Sequence, residues 1–214
     1  MEIKYTNDKS TQILIALLKA HKIRKVVASP GTTNAIFVAS IQNDPDFQVY
    51  SSVDERSAAY IACGIAGESG EPVVITCTEA TASRNYFPGL TEAYYRKLPI
   101  LAVTGLHSTY NIGNLCTQAI DRSQAPKDTI RYSTTIEHCK SKEDEWHVNL
   151  EINKAILELT RNGGGPVHIN MQIGERWDFY VDKLPEVRVI RRINVKDQMP
   201  AIPNGKIAIV ILSL

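Results

Sequence analysis

Residues 47–105 read FQVYSSVDERSAAYIACGIAGESGEPVVITCTEATASRNYFPGLTEAYYRKLPILAVTG, and this stretch decides the fold. Runs rich in β-branched residues, FQVYSSV (Phe47–Val53), VVITCT (Val73–Thr78) and PILAVTG (Pro99–Gly105), alternate with segments of helical character. That is the pattern of parallel strands joined by crossover helices. Asp54 is suited to cap a helix running to about Glu68, and Gly70-Glu71-Pro72 breaks it. VVITCT is apolar on both sides, as a central parallel strand is. Another helix is predicted from about Ala82 to Arg96.

The alternation extends outward from this core. Thr11 to Ala20 places Ile13, Leu14, Leu17 and Leu18 on one helical face. The strand Lys25–Ser29 ends at Pro30-Gly31, and Asn34 to Ile41 reads as the next helix. On the other side Glu143 to Thr160 is helical, Gly163-Gly164-Gly165-Pro166 ends it, and VHINMQ is a last parallel strand. Between them, His107 to about Ser141 has no clean period, and a connection of that length is functional or holds short extra elements. The predicted class is α/β, a doubly wound parallel sheet with helices on both faces, occupying residues 1–182. Residues 183–214 read as a charged linker, KLPEVRVIRRINV, then a turn at Pro203-Asn204-Gly205 and a strand KIAIVILSL that opens a middle domain continuing past Leu214.

Composition excludes several function classes. With 24 basic and 23 acidic residues in 214, no net field gathers polyanions, and no Lys/Arg stripe interleaved with aromatics points to nucleic acid. The polar start MEIKYTNDKS is no signal peptide, and no apolar run approaches the roughly 18 residues of a membrane span; a soluble, cytoplasmic protein is expected. The four cysteines (Cys63, Cys77, Cys116, Cys139) form no C-x-x-C pair, so no metal or redox site is predicted. His138 and Cys139 are adjacent, but neighbours in sequence seldom face each other as a nucleophilic pair must.

Three polar segments fall at the carboxyl ends of predicted strands, where open α/β sheets place their ligands. Ser29-Pro30-Gly31-Thr32-Thr33 makes a tight turn with free backbone N–H groups, and equally serves as an ordinary connection. It is neither G-x-G-x-x-G nor a P-loop, which disfavours a nucleotide-binding domain. Asp54-Glu55-Arg56-Ser57-Ala58-Ala59 opens a helix of small residues that another backbone can approach closely, so Glu55 is expected to be partly desolvated; its plain alternative role is to complement the helix dipole. Thr76 to Tyr86 empties a buried strand into a turn of small polar residues, a rim for a ring-shaped ligand or simply a cap.

Taken together, SPG, DERSAAYIACGIAG, NYFPGLTEAYY and Thr117-Gln118-Ala119-Ile120-Asp121 resemble the N-terminal pyrimidine-binding domain of thiamine-diphosphate-dependent enzymes, the acetohydroxyacid synthase and pyruvate decarboxylase superfamily. The resemblance covers roughly Ile13 to Ile173 and is greatest to the menaquinone-biosynthesis branch. It implies that Glu55 hydrogen-bonds N1′ of the cofactor's aminopyrimidine and so helps remove the thiazolium C2 proton, ahead of attack on a 2-oxo acid substrate. It also implies that Pro30, Gly31, Thr78 and Asn85 shape the pyrimidine pocket and that Gln118 approaches cofactor or substrate. Mg²⁺ and the diphosphate belong to a G-D-G…N segment that is absent here, so this chain holds only the pyrimidine half, and a homodimer or homotetramer is implied. Three positions depart from the branch: Thr33 and Leu106-His107-Ser108 stand where arginines are usual, and Glu79-Ala80 replaces Ser-Gly. Glu79-Ala80 and the missing diphosphate segment allow an alternative, a noncatalytic structural or regulatory module keeping the fold.

Overall fold

The computed structural model describes residues 4–172, 178, 181–193, 198 and 201. The expected turn at Pro203-Asn204-Gly205 and strand KIAIVILSL lie outside the described residues. Six strands form one sheet: β1 (Lys25–Ala28), β2 (Gln48–Ser51), β3 (Val73–Cys77), β4 (Ile100–Leu106), β5 (Tyr132–Ile136) and β6 (Val167–Gln172). Their order is β2-β1-β3-β4-β6-β5, and every pairing is parallel. The fold is thus the expected α/β sheet.

Two apolar clusters flank the sheet. On one face, α1 (Lys9–Ala20), α2 (Ala35–Ile41) and α6 (Lys142–Glu158) bury Leu14, Leu17, Phe37 and Ile152. Each such side chain contributes about 1.5–3 kcal/mol when removed from water. On the other face, α3 (Glu55–Ser69) and α5 (Phe87–Arg96) bury Ala58, Ala62, Leu90 and Ala93. The small-residue face of α3 is used as its composition suggests: a Cβ on Gly89 of α5 would sit 2.5 Å from the Ala59 Cβ.

The single helix expected over Ala82–Arg96 is instead two. A short α4 (Thr81–Asn85) ends at Tyr86, and α5 starts with Pro88 in its first turn. Proline has no N–H to donate and clashes with a preceding helical turn, so the chain restarts there. Strand β5 hides within the stretch that shows no period. It is an edge strand, YSTTI, whose alternate residues face water, so polarity masks it. Beyond the sheet, residues 184–190 run beside α6, with Leu184, Val187 and Val189 packed on the core.

Chain order matters for the site. From β1 the chain goes out to β2 on one side and returns to β3 on the other. The carboxyl ends of β1 and β3 are therefore the topological switch point, where crossovers depart to opposite faces and leave a crevice.

Candidate functional site

The turns leaving β1 and β3 are locked together by one buried amide. Asn34 is fully buried; its Oδ1 accepts from Gly31 N–H at 2.8 Å, and its Nδ2 donates to Ser29 C=O at 3.1 Å and to Thr76 Oγ1 at 3.3 Å. Outside it, Thr33 Oγ1 lies 2.7 Å from Thr78 Oγ1. A Cβ on Gly31 would fall 2.7 Å from the Thr78 Cβ, and a Cβ on Gly105, at the end of β4, would overlap Thr33. Only glycine allows these close approaches, so three strand ends converge on a small volume. Asn34 was visible only as the start of a helix; its position three residues after Gly31 is the signal that it can turn back on the loop.

Glu55 stands on the rim of this convergence. Asp54 takes the capping role, its Oδ2 accepting from Ser57 N–H at 2.8 Å and from the Ser57 hydroxyl at 2.5 Å. Those bonds hold the Asp54 carboxyl below its ordinary pKa. Glu55 is thereby released from capping. Its Oε2 accepts from the Asn85 side-chain amide at 3.0 Å, and its Oε1 has no hydrogen-bond partner among the described residues. The residue is half-buried, so this chain alone shelters it on one side.

An open cleft of about 520 Å³ is lined by Glu55, Thr78, Asn85 and Gln118, together with residues 79–82 and Ile120. Four of the expected site residues therefore meet on one surface. Gly31 lies directly behind Thr78, whereas Pro30 is exposed on the turn and does not line the cleft. Gln118 adopts a left-handed backbone, φ +63°, within a loop that the buried Arg122 anchors: its Nη1 donates to Thr104 Oγ1 at 3.0 Å and its Nη2 to Gly105 C=O. Neither the loop's shape nor the Arg122 anchor carried a periodic signal.

Glu79, the departure nearest the cleft, is turned inward. It is 3% exposed, with Oε1 2.9 Å from His107 Nε2 and Oε2 accepting from His107 N–H at 3.0 Å. The turn that achieves this leaves Ala80 at φ +53°, a region costly for a residue with a Cβ. Behind it, His168 Nε2 is 2.8 Å from Thr104 Oγ1, and burial, helped by the Arg122 and Arg84 charges, pushes His168 down to about 3. Thr33 and His107 are both committed to contacts within the chain.

The two buried thiols are chemically quiet. Burial pushes Cys63 up to about 11 and Cys77 up to about 12, the wrong direction for a nucleophile. His138 bonds Asp8 at 3.2 Å while Cys139 Sγ accepts from Ser10, so the two neighbours point to different partners. Among the described residues no group of three or more His, Cys, Asp or Glu side chains could hold a metal ion, and no helix is long and apolar enough to cross a membrane.

Residues 8–125 match the family described as "Thiamine pyrophosphate enzyme, N-terminal TPP binding domain". This chain belongs to that family. The domain is 39% identical over 198 residues to a 2-succinyl-5-enolpyruvyl-6-hydroxy-3-cyclohexene-1-carboxylate synthase of Bacteroides thetaiotaomicron, covering 91% of this chain and 36% of the relative. It is 35% identical over 176 residues to the same synthase of Porphyromonas gingivalis, covering 82% and 30%. The chain thus spans about a third of the length of these curated relatives. Among solved structures, benzoylformate decarboxylase from Polynucleobacter necessarius superposes with a TM-score of 0.67 at 22% identity, covering 87% of this chain and 33% of that one, a likeness of fold. The chain thus has the parallel α/β architecture of a thiamine-diphosphate-dependent family, with an open cleft at its switch point.

Proposed function

We propose that this chain supplies the pyrimidine-binding half of a thiamine-diphosphate site in a decarboxylase or carboligase that acts on a 2-oxo acid, and that Glu55 is its catalytic carboxylate. One observation carries the reading: a glutamate at the switch point has one oxygen fixed by Asn85 at 3.0 Å and the other without a protein partner, facing an open cleft. A carboxylate that must share a proton with a ring nitrogen needs this arrangement, positioned at one oxygen and available at the other.

The residues present fit an aminopyrimidine ring. Gly31 lets the β1 turn close on Thr78, forming a wall of small groups, and Asn85 and Gln118 offer amide groups at the mouth. Pro30 fixes the turn from outside rather than touching the ligand. When bound, the cofactor would supply a thiazolium ring able to store the electrons released with carbon dioxide. The sequence contains no G-D-G…N segment, so Mg²⁺ and the diphosphate fall to a domain beyond residues 1–182, with 183–214 as the connection towards it.

Glu55 also needs drier surroundings than one chain provides. Tyr50, Val53, Tyr60 and Ile61, close to Glu55 in sequence, are large apolar side chains left exposed, and a second copy laid over them would desolvate the carboxyl. That supports a homodimer or homotetramer. The inward turn of Glu79 supports catalysis over the noncatalytic alternative, because the acidic side chain that would obstruct the ring is occupied by His107.

Calorimetry with thiamine diphosphate and Mg²⁺, on this chain and on a protein that also carries the diphosphate-binding domain, tests the assignment. Binding confined to the larger protein, with C2–H exchange of the cofactor lost in Glu55→Gln, is the expected result. Normal exchange in Glu55→Gln would refute the role of Glu55, and no binding in either protein would favour the noncatalytic module.

A further inference from the structure

At the opposite end of the sheet, where the strands begin, α1 and α6 end side by side and the strap formed by residues 184–192 passes over them. A cleft of about 490 Å³ lies between them, lined among others by His21, Lys22, Arg161, Asn162, Arg191 and Arg192. Four cationic side chains thus face one space. The carboxylate that serves them is Glu158, which Arg161 approaches at 3.1 Å and Arg192 at 3.4 Å.

Cations at the carboxyl ends of helices often do no more than complement the dipole. Arg192 does that here, donating from Nη1 to Leu157 C=O at 3.0 Å in the last turn of α6. Lys22 and Arg191 differ in that neither has an ion pair or side-chain hydrogen bond among the described residues. Lys22 follows α1 in the left-handed region, φ +59°, which a lysine rarely adopts. The strap that carries Arg191 is fixed rather than adaptable. Asn153, fully buried in α6, donates to Arg188 C=O at 2.9 Å and accepts from Ile190 N–H at 2.8 Å, and His21 Nε2 lies 3.2 Å from the same Asn153 oxygen. Two unpaired cations therefore stand at the rim of a cleft whose backbone is already fixed, and a ligand has only their side chains left to order.

We propose that this cleft is a binding site for a multiply charged phosphate-type anion, with Lys22 and Arg191 as its principal ligands and Arg161 and Arg192 as supporting charge. Guanidinium forks and an ammonium match phosphoryl oxygens through charge-assisted bonds. The cleft is larger than a monatomic ion needs, and the excess of cations over the one carboxylate calls for more than one negative charge. The site is remote from Glu55 and stands independently of the cofactor reading.

Titration of the full chain with inorganic pyrophosphate, followed by calorimetry, tests it. One-site binding that weakens as salt is raised is expected, with affinity reduced at least tenfold in the Lys22→Ser, Arg191→Ser double variant and unchanged in Glu55→Gln. Both substituted residues are at the surface, and thermal melting verifies that the variant folds. Pyrophosphate should also slow amide exchange at Ile190 in the strap. Three outcomes overturn the proposal: no heat at millimolar pyrophosphate, equal affinity in the double variant, or the same effect from sodium chloride at matched ionic strength.

Discussion

Glu79 gives both carboxylate oxygens to His107, Oε1 to the ring nitrogen at 2.9 Å and Oε2 to the backbone N–H at 3.0 Å. The pair closes the end of β4 beneath the cleft and explains how an acidic side chain is tolerated in the turn after β3. It also makes the chain's stability depend on pH in a definite sense.

Burial raises the Glu79 carboxyl above its ordinary 4.5, and the His107 and Arg122 charges offset this only in part. The folded chain then binds the Glu79 proton more tightly than the unfolded chain does. Its contribution is complete below about pH 4.5 and is lost as pH rises through the higher folded value. Against Glu79→Gln, which cannot titrate, the wild type should be relatively most stable near pH 4 and lose ground above it. Glu79→Ala, which orphans the His107 N–H, should cost roughly 1–3 kcal/mol at neutral pH. Urea unfolding at a series of pH values gives both numbers, and a wild-type advantage that grows with pH would contradict the argument.

His168 predicts the opposite slope. Its folded value of about 3 lies far below the ordinary 6.5 because burial and the Arg122 charge disfavour the imidazolium. A depressed group contributes stability above its unfolded value, and that contribution is lost as pH falls from about 6.5 towards 3. Between pH 7 and 5 the wild type should lose roughly 1–2 kcal/mol relative to His168→Gln. Parallel stability profiles for the two proteins would show that His168 takes up its proton as readily in the folded chain as in the unfolded one.

The sheet was legible because parallel strands buried on both faces leave continuous apolar runs, as in VVITC, where all five residues are buried. β5 was not, since an edge strand with half its residues in water, YSTTI, has no such run. Of the site, Glu55, Thr78, Asn85 and Gln118 were found through family likeness rather than through any periodic pattern. The Arg122 anchor, His168 and the Asn34 bond to Thr76 were missed for a physical reason: these pairs are 17 to 64 residues apart, and the local spacing that reveals helices and strands carries nothing about them. Glu55 is half-buried, in keeping with partial desolvation, while the small residues of α3 serve the contact with α5 further along the helix.

That contact gives a packing prediction. Gly89→Ala would force a methyl to 2.5 Å from the Ala59 Cβ and 3.1 Å from the Ala59 carbonyl carbon. Overpacking of this kind typically costs 1–3 kcal/mol. Ala59→Gly should recover part of the loss when combined with Gly89→Ala, giving a positive coupling in a double-mutant cycle. Strict additivity would mean that the helices separate rather than clash.

The buried amide of Asn34 should be among the least replaceable side chains near the cleft. Asn34→Ala leaves Gly31 N–H and Ser29 C=O without their partners, an expected loss of about 2–4 kcal/mol. Asn34→Asp retains an acceptor for Gly31 but loses both donors and buries a charge, so it should be no better. Denaturant midpoints at unchanged m-value measure this; a loss under about 0.5 kcal/mol would show that the turn holds without the lock.

Asn85 separates orientation from stability. It is exposed, so Asn85→Ala should leave the unfolding midpoint nearly unchanged while freeing Glu55 Oε2 from its bond at 3.0 Å. A carboxylate free to rotate must be reordered by the ligand, and losing one such bond to a charged group should weaken thiamine diphosphate binding about tenfold or more, equivalent to about 1.4 kcal/mol. Asn85→Asp should be worse, because it sets a like charge beside Glu55 in place of a donor. Calorimetry on a protein that carries both halves of the site measures both variants. Undiminished binding in Asn85→Ala would mean that Glu55 is positioned by something other than this amide, and the observation on which the functional reading chiefly rests would lose its force.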